Sequence, residues 1–504
     1  MIIYLLSSEG SRQLFPREVR HAGSVGREEM RTADLKDARL NARLCEVLSQ
    51  LGGQPTASIP AACGGHAEMT AAYRLFDNEN APFKRLLEPH VAATRERIAR
   101  QEVVLLVQDT TEVDLTRPEQ QVTGAGRLDG GARRGALLHL LHAFTPDGTP
   151  LGTLRAGPWT RGEEVGCAAR SRAERAAAPI EEKESYRWVE TLRQARAEAR
   201  GCPATRMICI CDSEADIYEY LAEATAEPGG VSWIVRCCQD RAVQTPEGDA
   251  TAARRLYDCV EARPVLFTQA IRVRGRKAKV ACESRGRRQP RRSRQATVEV
   301  RTATNVVLRP PWRADRTLPE VAVNGVLVRE LVPPAGEEPV EWVLITRLPV
   351  ADGAQARIVI GYYCGRWMIE VLFRVLKSGC RVEARRFERL DRFESCLAVY
   401  LIVAWRTLYV CRLGRGCPEV NCEAVFEPAE WKAAWKVVRR SDPPSQPPSL
   451  REMVALVAQL GGYVPRKNSP PGPQTVWLGL QRVHDFALCW NLFGPETREG
   501  ATLV

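Results

Sequence analysis

Several protein classes are excluded by what this 504-residue chain lacks. Its 17 cysteines are odd in number and scattered, with no Cys-x-x-Cys unit; the nearest neighbours are Cys209/Cys211 and Cys237/Cys238. Neither a disulfide framework nor a zinc site is indicated, and a reducing cytosol is the expected compartment. The opening MIIYLLSSEG has a short apolar run but no basic residues ahead of it and no small-residue cleavage site, so no secretory signal is read there. No apolar run is long enough to cross a bilayer. The most apolar, 396-CLAVYLIVAWRTLYV-410, carries Arg406 and reads as a buried helix, so no membrane partner is expected. Acidic residues are short by a modest margin: 61 Asp plus Glu against 72 Lys plus Arg leave +11, which favours a polyanionic partner. Hydrophobic content of 44% with 26% charged residues describes a soluble globular protein, and the length exceeds what one simple core holds.

Along the chain the texture changes several times. Residues 1–25 show no clear periodicity and are read as disordered. From residue 31 the pattern is helical, with Lys36, Arg39 and Arg43 on one side and Leu40, Leu44, Val47 and Leu51 on the other. That basic face is either solvated or laid on phosphate. At 102-EVVLLVQDTTEVDLT-116 an unbroken apolar run reads as a strand buried on both faces that delivers Asp109 at its end. Two more strands flank the turn Pro146-Asp147-Gly148, and a helix follows over 181–200. The segment 207-MICICDSEADIYEYL-221 repeats the theme: apolar strand, Asp212, then a helix. Residues 225–350 alternate apolar and polar between Gly and Pro, which indicates β-rich structure. Within them, 272–301 hold twelve Lys or Arg against Glu283 and Glu299, a solvated loop or a phosphate-contacting arm. Beyond 378 the chain reads as helical, ending in 475-TVWLGLQRVHDFALCWNLF-493, whose spaced Trp477, Leu480, Val483, Ala487 and Trp490 suit packing or self-association.

The chemically informative stretch is 362-YYCGRWMIEVLFRVLK-377. At about 100° per residue, Tyr363, Arg366, Glu370 and Lys377 fall in one stripe beside the apolar arc of Ile369, Leu372, Phe373 and Leu376. Alone, such a stripe is a solvated face with an Arg366–Glu370 pair. Asp109 and Asp212 change that reading, because carboxylates at strand ends of an α/β sheet face the crevice where ligands bind. Three carboxylates brought together repel one another unless divalent cations sit between them, and hard oxygen ligands suit Mg²⁺, with Mn²⁺ as a substitute. A two-ion site of this kind activates water or a 3′-hydroxyl against a phosphodiester. Arg366 and Lys377, with the Tyr363 hydroxyl, supply donors for a backbone phosphate.

The spacing Tyr-x2-Arg-x3-Glu-x6-Lys at 363, 366, 370 and 377 resembles the signature of the insertion-sequence-four family of DDE transposases. The segments 71-AAYRLFDN-78, 108-QDTTEVDL-115, 182-EKES-185, 211-CDSEADIYEYL-221, 341-EWVLITRLPV-350 and 460-LGGY-463 resemble the family's motifs in the same order, from about residue 25 to 495. The resemblance implies an α/β fold: a ribonuclease H-like catalytic core, a mixed sheet flanked by helices, interrupted by a β-rich insertion, with helical N- and C-terminal regions. Its implied divisions are 26–100 for a helical DNA-end-binding domain, 101–235 and 351–395 for the catalytic domain, 236–350 for the insertion, and 396–504 for a helical dimerisation region. It places Asp109, Asp212 and Glu370 as the catalytic, metal-binding triad and implies DNA contacts from Tyr363, Arg366, Lys377 and Arg236. Trp342 takes the place of an aromatic residue that stacks with a flipped base, its alternative being a buried strand tryptophan. The implied activity is Mg²⁺-dependent DNA cleavage and strand transfer by a homodimer on double-stranded DNA, the inverted-repeat ends and the target, in a bacterial cytoplasm and associated with the nucleoid. The alternatives are a relic that binds DNA without cutting it and a nuclease of the same fold without strand transfer. Two departures stand out. Cys238 occupies a position where a lysine is expected, with Arg241 nearby, and Cys364-Gly365 interrupts the signature helix, where Gly costs about 1 kcal/mol relative to Ala unless it lies in the first turn.

Overall fold

A computed structural model describes residues 29–129, 132–161, 174, 178–226, 230–244, 254–273, 275, 290–313, 316–466 and 470–495. Residues 1–25, and 274 and 276–289 of the basic stretch between 272 and 301, lie outside them.

The N-terminal region supplies three main helices, α1 (Ala38–Gly53), α2 (His66–Phe76) and α3 (Phe83–Ile98). Asp37 caps α1 by accepting from the Arg39 amide, and the buried side is Leu44, Val47, Leu48 and Leu51, close to the expected stripe. The basic face is only partly as expected. Lys36 precedes the cap with φ +61°, off the helix altogether, because the chain must turn left-handed to enter the Asp37 cap. Arg39 and Arg43 are on the helix, bridged to Asp37 at 3.0 Å and Glu46 at 2.9 Å.

The apolar runs become strands: β1 (Val103–Asp114), β2 (Gly126–Arg127), β3 (Arg134–Phe144) and β4 (Pro150–Trp159). After helix α4 (Tyr186–Gly201) come β5 (Arg206–Cys211), α5 (Tyr218–Ala226) and β6 (Ser232–Cys237). Four more strands follow, β7 (Phe267–Val273), β8 (Arg294–Leu308), β9 (Val321–Glu330) and β10 (Glu341–Thr346). All ten form one mixed sheet in the order β2-β3-β1-β5-β6-β10-β9-β8-β7, with β4 also on β3. The strands of 236–350 therefore do not stand apart; β10 pairs antiparallel with β6 and carries β9, β8 and β7 on the same sheet. Only β1, β5 and β6 run parallel, each fully apolar at its centre as a strand covered on both faces must be.

The signature segment forms α6 (Gly353–Gly365) and α7 (Trp367–Arg374), and the C-terminal region forms α8 (Leu390–Gly416), α9 (Pro428–Arg439), α10 (Leu450–Leu460) and α11 (Pro473–Phe493). By length and composition α8 could cross a membrane, yet 83% of its most apolar window is buried inside the protein, which is how 396–410 was read. Its Trp405 donates to the Pro150 carbonyl at 3.0 Å and lies under the Arg97 guanidinium, tying α3, β4 and α8 together. Each such fully buried large side chain contributes about 1.5–3 kcal/mol through burial. The described cysteines are free thiols.

Candidate active site

Strand pairing brings the first two carboxylates together. β1 and β5 are parallel with Val107 opposite Ile210, so Asp109 and Asp212 each lie two residues beyond the last paired position, Asp109 still on β1 and Asp212 just past the end of β5. Asp109 does not end its strand as expected. β1 continues to Asp114 because β3 goes on pairing with it after β5 has stopped at Cys211, so Asp109 marks the end of the parallel pairing only. Past β5, Asp212 turns the chain by accepting from the Glu214 amide at 2.8 Å. The same register carries Ile210 opposite Ile234 and so sets Arg236 beside Asp212.

The third carboxylate comes from α7. Arg366 connects it to the sheet: Nη1 lies 2.7 Å from Asp109 Oδ2, and Nη2 lies 3.7 Å from Glu370 Oε1. The i,i+4 pair read from the sequence is thus the weaker of two contacts; the stronger reaches a residue 257 positions away. Burial pushes the Asp109 carboxyl up to about 8, Arg366 pulls against it, and the charges of Asp212 and Glu370 push it further up. Burial also opposes the charge of Arg366, but Asp109 first and then Tyr363, Asp212 and Glu370 hold it above its ordinary value. The guanidinium is the local counter-ion of a carboxylate cluster. Among the described residues no three acidic, His or Cys side chains are drawn tightly enough together to hold a metal ion.

The other stripe residues separate. Tyr363 is buried, its phenol raised by burial against Arg366 and Arg236, and its ring lies 5.9 Å from that of Trp342. Trp342 is 3% exposed, so in the DNA-free chain it is the buried strand tryptophan weighed as its alternative. Beyond α7 the backbone widens into a π turn over Val375–Gly379, which breaks the 100° progression and carries Lys377 to Glu383 at 3.6 Å. Lys36, Arg39 and Arg43 belong to the N-terminal region around α1.

Cys364-Gly365 sits at the C-terminal end of α6, not in a first turn. A Cβ at Gly365 would meet Leu105 Cδ1 at 2.9 Å, so glycine lets this helix lie close enough to β1 for Arg366 to reach Asp109. Arg241 does not take the place of the lysine expected at 238. It is buried against Asp216, whose other oxygen accepts from the Cys238 and Gln239 amides at 2.8 and 2.9 Å. This clamp fixes the turn after Asp212, and no local spacing pairs two residues 25 apart, so sequence reading missed it.

Three family models match the chain in order. "Transposase DNA-binding" covers residues 24–81, "Transposase DDE domain" 200–405, and "Transposase Tn5 dimerisation domain" 402–490. Among solved structures, the cryo-EM piggyBac transposase synaptic complex with hairpin DNA is similar at 9% identity and a TM-score of 0.29, over 68% of this chain and 54% of that one. The chain thus spans about half the length of that solved protein.

Proposed function

The chain belongs to the Tn5-like DDE transposases, and from that premise we propose that it binds the inverted-repeat ends of its own mobile element, pairs them as a homodimer, and cuts and rejoins DNA by metal-dependent phosphodiester chemistry. The observation that carries the reading is that Arg366 bridges Asp109 and Glu370 at the edge of the parallel strands, with the charge of Asp212 acting on both Asp109 and Arg366.

The donor set fits a divalent cation. Asp109 is raised to about 8 by burial first, against the pull of Arg366, with Asp212 and Glu370 adding to the rise, and all three groups offer hard oxygen. Asp109, Asp212 and Glu370 would hold Mg²⁺, with Mn²⁺ able to replace it. When bound, such an ion supplies Lewis-acid polarisation of the phosphodiester and lowers the pKa of the attacking hydroxyl. The chain's own residues do the rest. Arg366, between Asp109 and Glu370, turns its guanidinium to an arriving backbone phosphate and so uncovers Asp109. Tyr363 and Lys377 add donors on either side, and Arg236 stands beside Asp212 to hold the strand. Trp342 receives a displaced base once Tyr363 moves off it.

Division of labour follows the expected boundaries: 26–100 for the ends, with Lys36, Arg39 and Arg43 toward phosphate; a ribonuclease H-like core of 101–235 and 351–395; 236–350 as its insertion; and 396–504 for pairing. Exposed Leu488, Leu492 and Phe493 on α11 support self-association, since large apolar side chains left in water mark a contact surface. The work is placed in the reducing cytoplasm, on the nucleoid.

Product analysis tests the reading. Incubated with end-containing DNA, a target duplex and Mg²⁺, the protein is expected to yield end-cleaved DNA and target-joined product. Nicking without joining would favour a nuclease of the same fold, and specific binding without any cutting would favour a relic.

A further inference from the structure

After β5 has stopped at Cys211, β3 continues to hold one edge of β1 as far as Asp114, and among the described residues no strand pairs with the other edge. Backbone amides of a strand alternate between its two edges. The Leu115 amide donates to the Arg134 carbonyl on the β3 side at 2.8 Å, so the Asp114 amide faces the free edge. There it donates to Glu383 Oε1 at 3.0 Å. The same oxygen lies 3.6 Å from Lys377 Nζ.

Glu383 is held by its backbone as well. Arg117 Nη2 donates to the Glu383 carbonyl at 2.6 Å and to the Arg385 carbonyl at 3.2 Å. The short turn Val382–Ala384 follows Arg381 at φ +49°, which folds the chain back against the π turn that carries Lys377. The acidic side chains at the end of β1 are answered elsewhere, Glu112 and Asp114 both by Arg133, at 2.8 and 2.9 Å. Among the described residues the Glu383 carboxylate has Lys377 as its one cationic partner. A pair this long, with its side chains 27% and 31% exposed, stabilises the fold little. What it does is geometric. Lysine carries a compact charge on a flexible four-carbon stem, and the π turn has taken Lys377 out of the α register, so the helix alone does not aim it. Glu383 ties the ammonium to a fixed point on β1, five residues beyond Asp109 and at most about 17 Å along the strand. Two of its three protons remain for another acceptor.

We propose that Glu383 is a positioning residue: anchored to the free edge of β1, it holds the Lys377 ammonium where a backbone phosphate of the DNA strand lying on the carboxylate cluster meets it. The inference rests on the reading of Lys377 as a phosphate donor and extends it to the residue that aims it.

The test is Glu383→Gln in the full-length protein, because Gln keeps an oxygen for the Asp114 amide and removes only the charge facing Lys377. Affinity for end-containing DNA is measured in the absence of metal ion, and the first-order cleavage rate at saturating DNA with Mg²⁺. Affinity is expected to hold or rise by up to about threefold, since a negative charge near phosphate is lost. The cleavage rate is expected to fall about tenfold, as the phosphate donor is no longer aimed. Lys377→Ala is expected to slow cleavage at least as much, and adding Glu383→Gln to it to change the rate by less than about twofold, because the two residues act as one unit. Affinity and rate falling together in Glu383→Gln, or a full further loss of rate in the Lys377→Ala background, would assign Glu383 a structural role and overturn the proposal. So would an unchanged rate in Glu383→Gln beside a slowed Lys377→Ala, which leaves Lys377 standing as a donor. Cleavage by Lys377→Ala at the wild-type rate would instead remove the reading of Lys377, and the positioning with it.

Discussion

Replacing Glu370 with Gln is expected to lower Mg²⁺-dependent cleavage of end-containing DNA by about 10²–10³-fold or more, while DNA binding stays within about twofold. The two effects separate because Glu370 has little structural work. Its side chain is 39% exposed, and its one ion pair, to Arg366 at 3.7 Å, is the weaker of that guanidinium's contacts. A pair so placed is worth about 0–1 kcal/mol, and exposed substitutions usually stay within about 0.5 kcal/mol. Gln keeps the shape and removes the charge that would hold an ion. A gel-shift assay beside a cleavage time course decides the matter, and retained cleavage would sink the assignment of Glu370.

Arg366→Ala is expected to act more broadly, with a signature that no simple DNA-contact residue would leave. Losing a phosphate donor aimed at the reacting group costs about 10²–10³-fold in cleavage. Arg366 also pulls the Asp109 pKa down against burial and the acidic neighbours, so removing it lets that pKa rise above about 8. Protonated Asp109 cannot hold a cation, so at sub-saturating Mg²⁺ the rate rises with pH as Asp109 loses its proton. The acid limb therefore moves to higher pH in the variant, and raising Mg²⁺ moves it back down by mass action. Rate against pH at two Mg²⁺ concentrations measures this. An unchanged midpoint would leave Arg366 as a DNA contact and nothing more.

Much of this site was legible because it is built from local patterns. Apolar runs followed by a carboxylate gave β1 with Asp109 and β5 with Asp212, and helical spacing placed Tyr363, Arg366 and Glu370 on one side of a helical segment. Failures came where a third element decided. Arg366 pairs with Asp109 across 257 residues, and Gly365 is small because Leu105 lies against it, a constraint invisible until β1 and α6 are packed. Lys36 left its helix because a left-handed residue precedes the cap, and Lys377 left its stripe because a π turn replaced the α register. Trp342 was readable as a strand residue, but its burial against Tyr363 depends on how α6 crosses β10. Lone positions reveal residue type; only packing tells which charges meet.

Asp109, Asp212 and Glu370 are expected to surround one metal ion when DNA is bound. Iron-mediated backbone cleavage tests it most directly: Fe²⁺ replaces Mg²⁺ in the complex with end DNA, ascorbate and peroxide generate hydroxyl radicals at the ion, and the protein fragments are sequenced. Cuts are predicted beside residues 109, 212 and 370 together, suppressed by excess Mg²⁺. Cuts confined to one of these segments, or clustered elsewhere in the chain, would show that the three carboxylates do not share an ion.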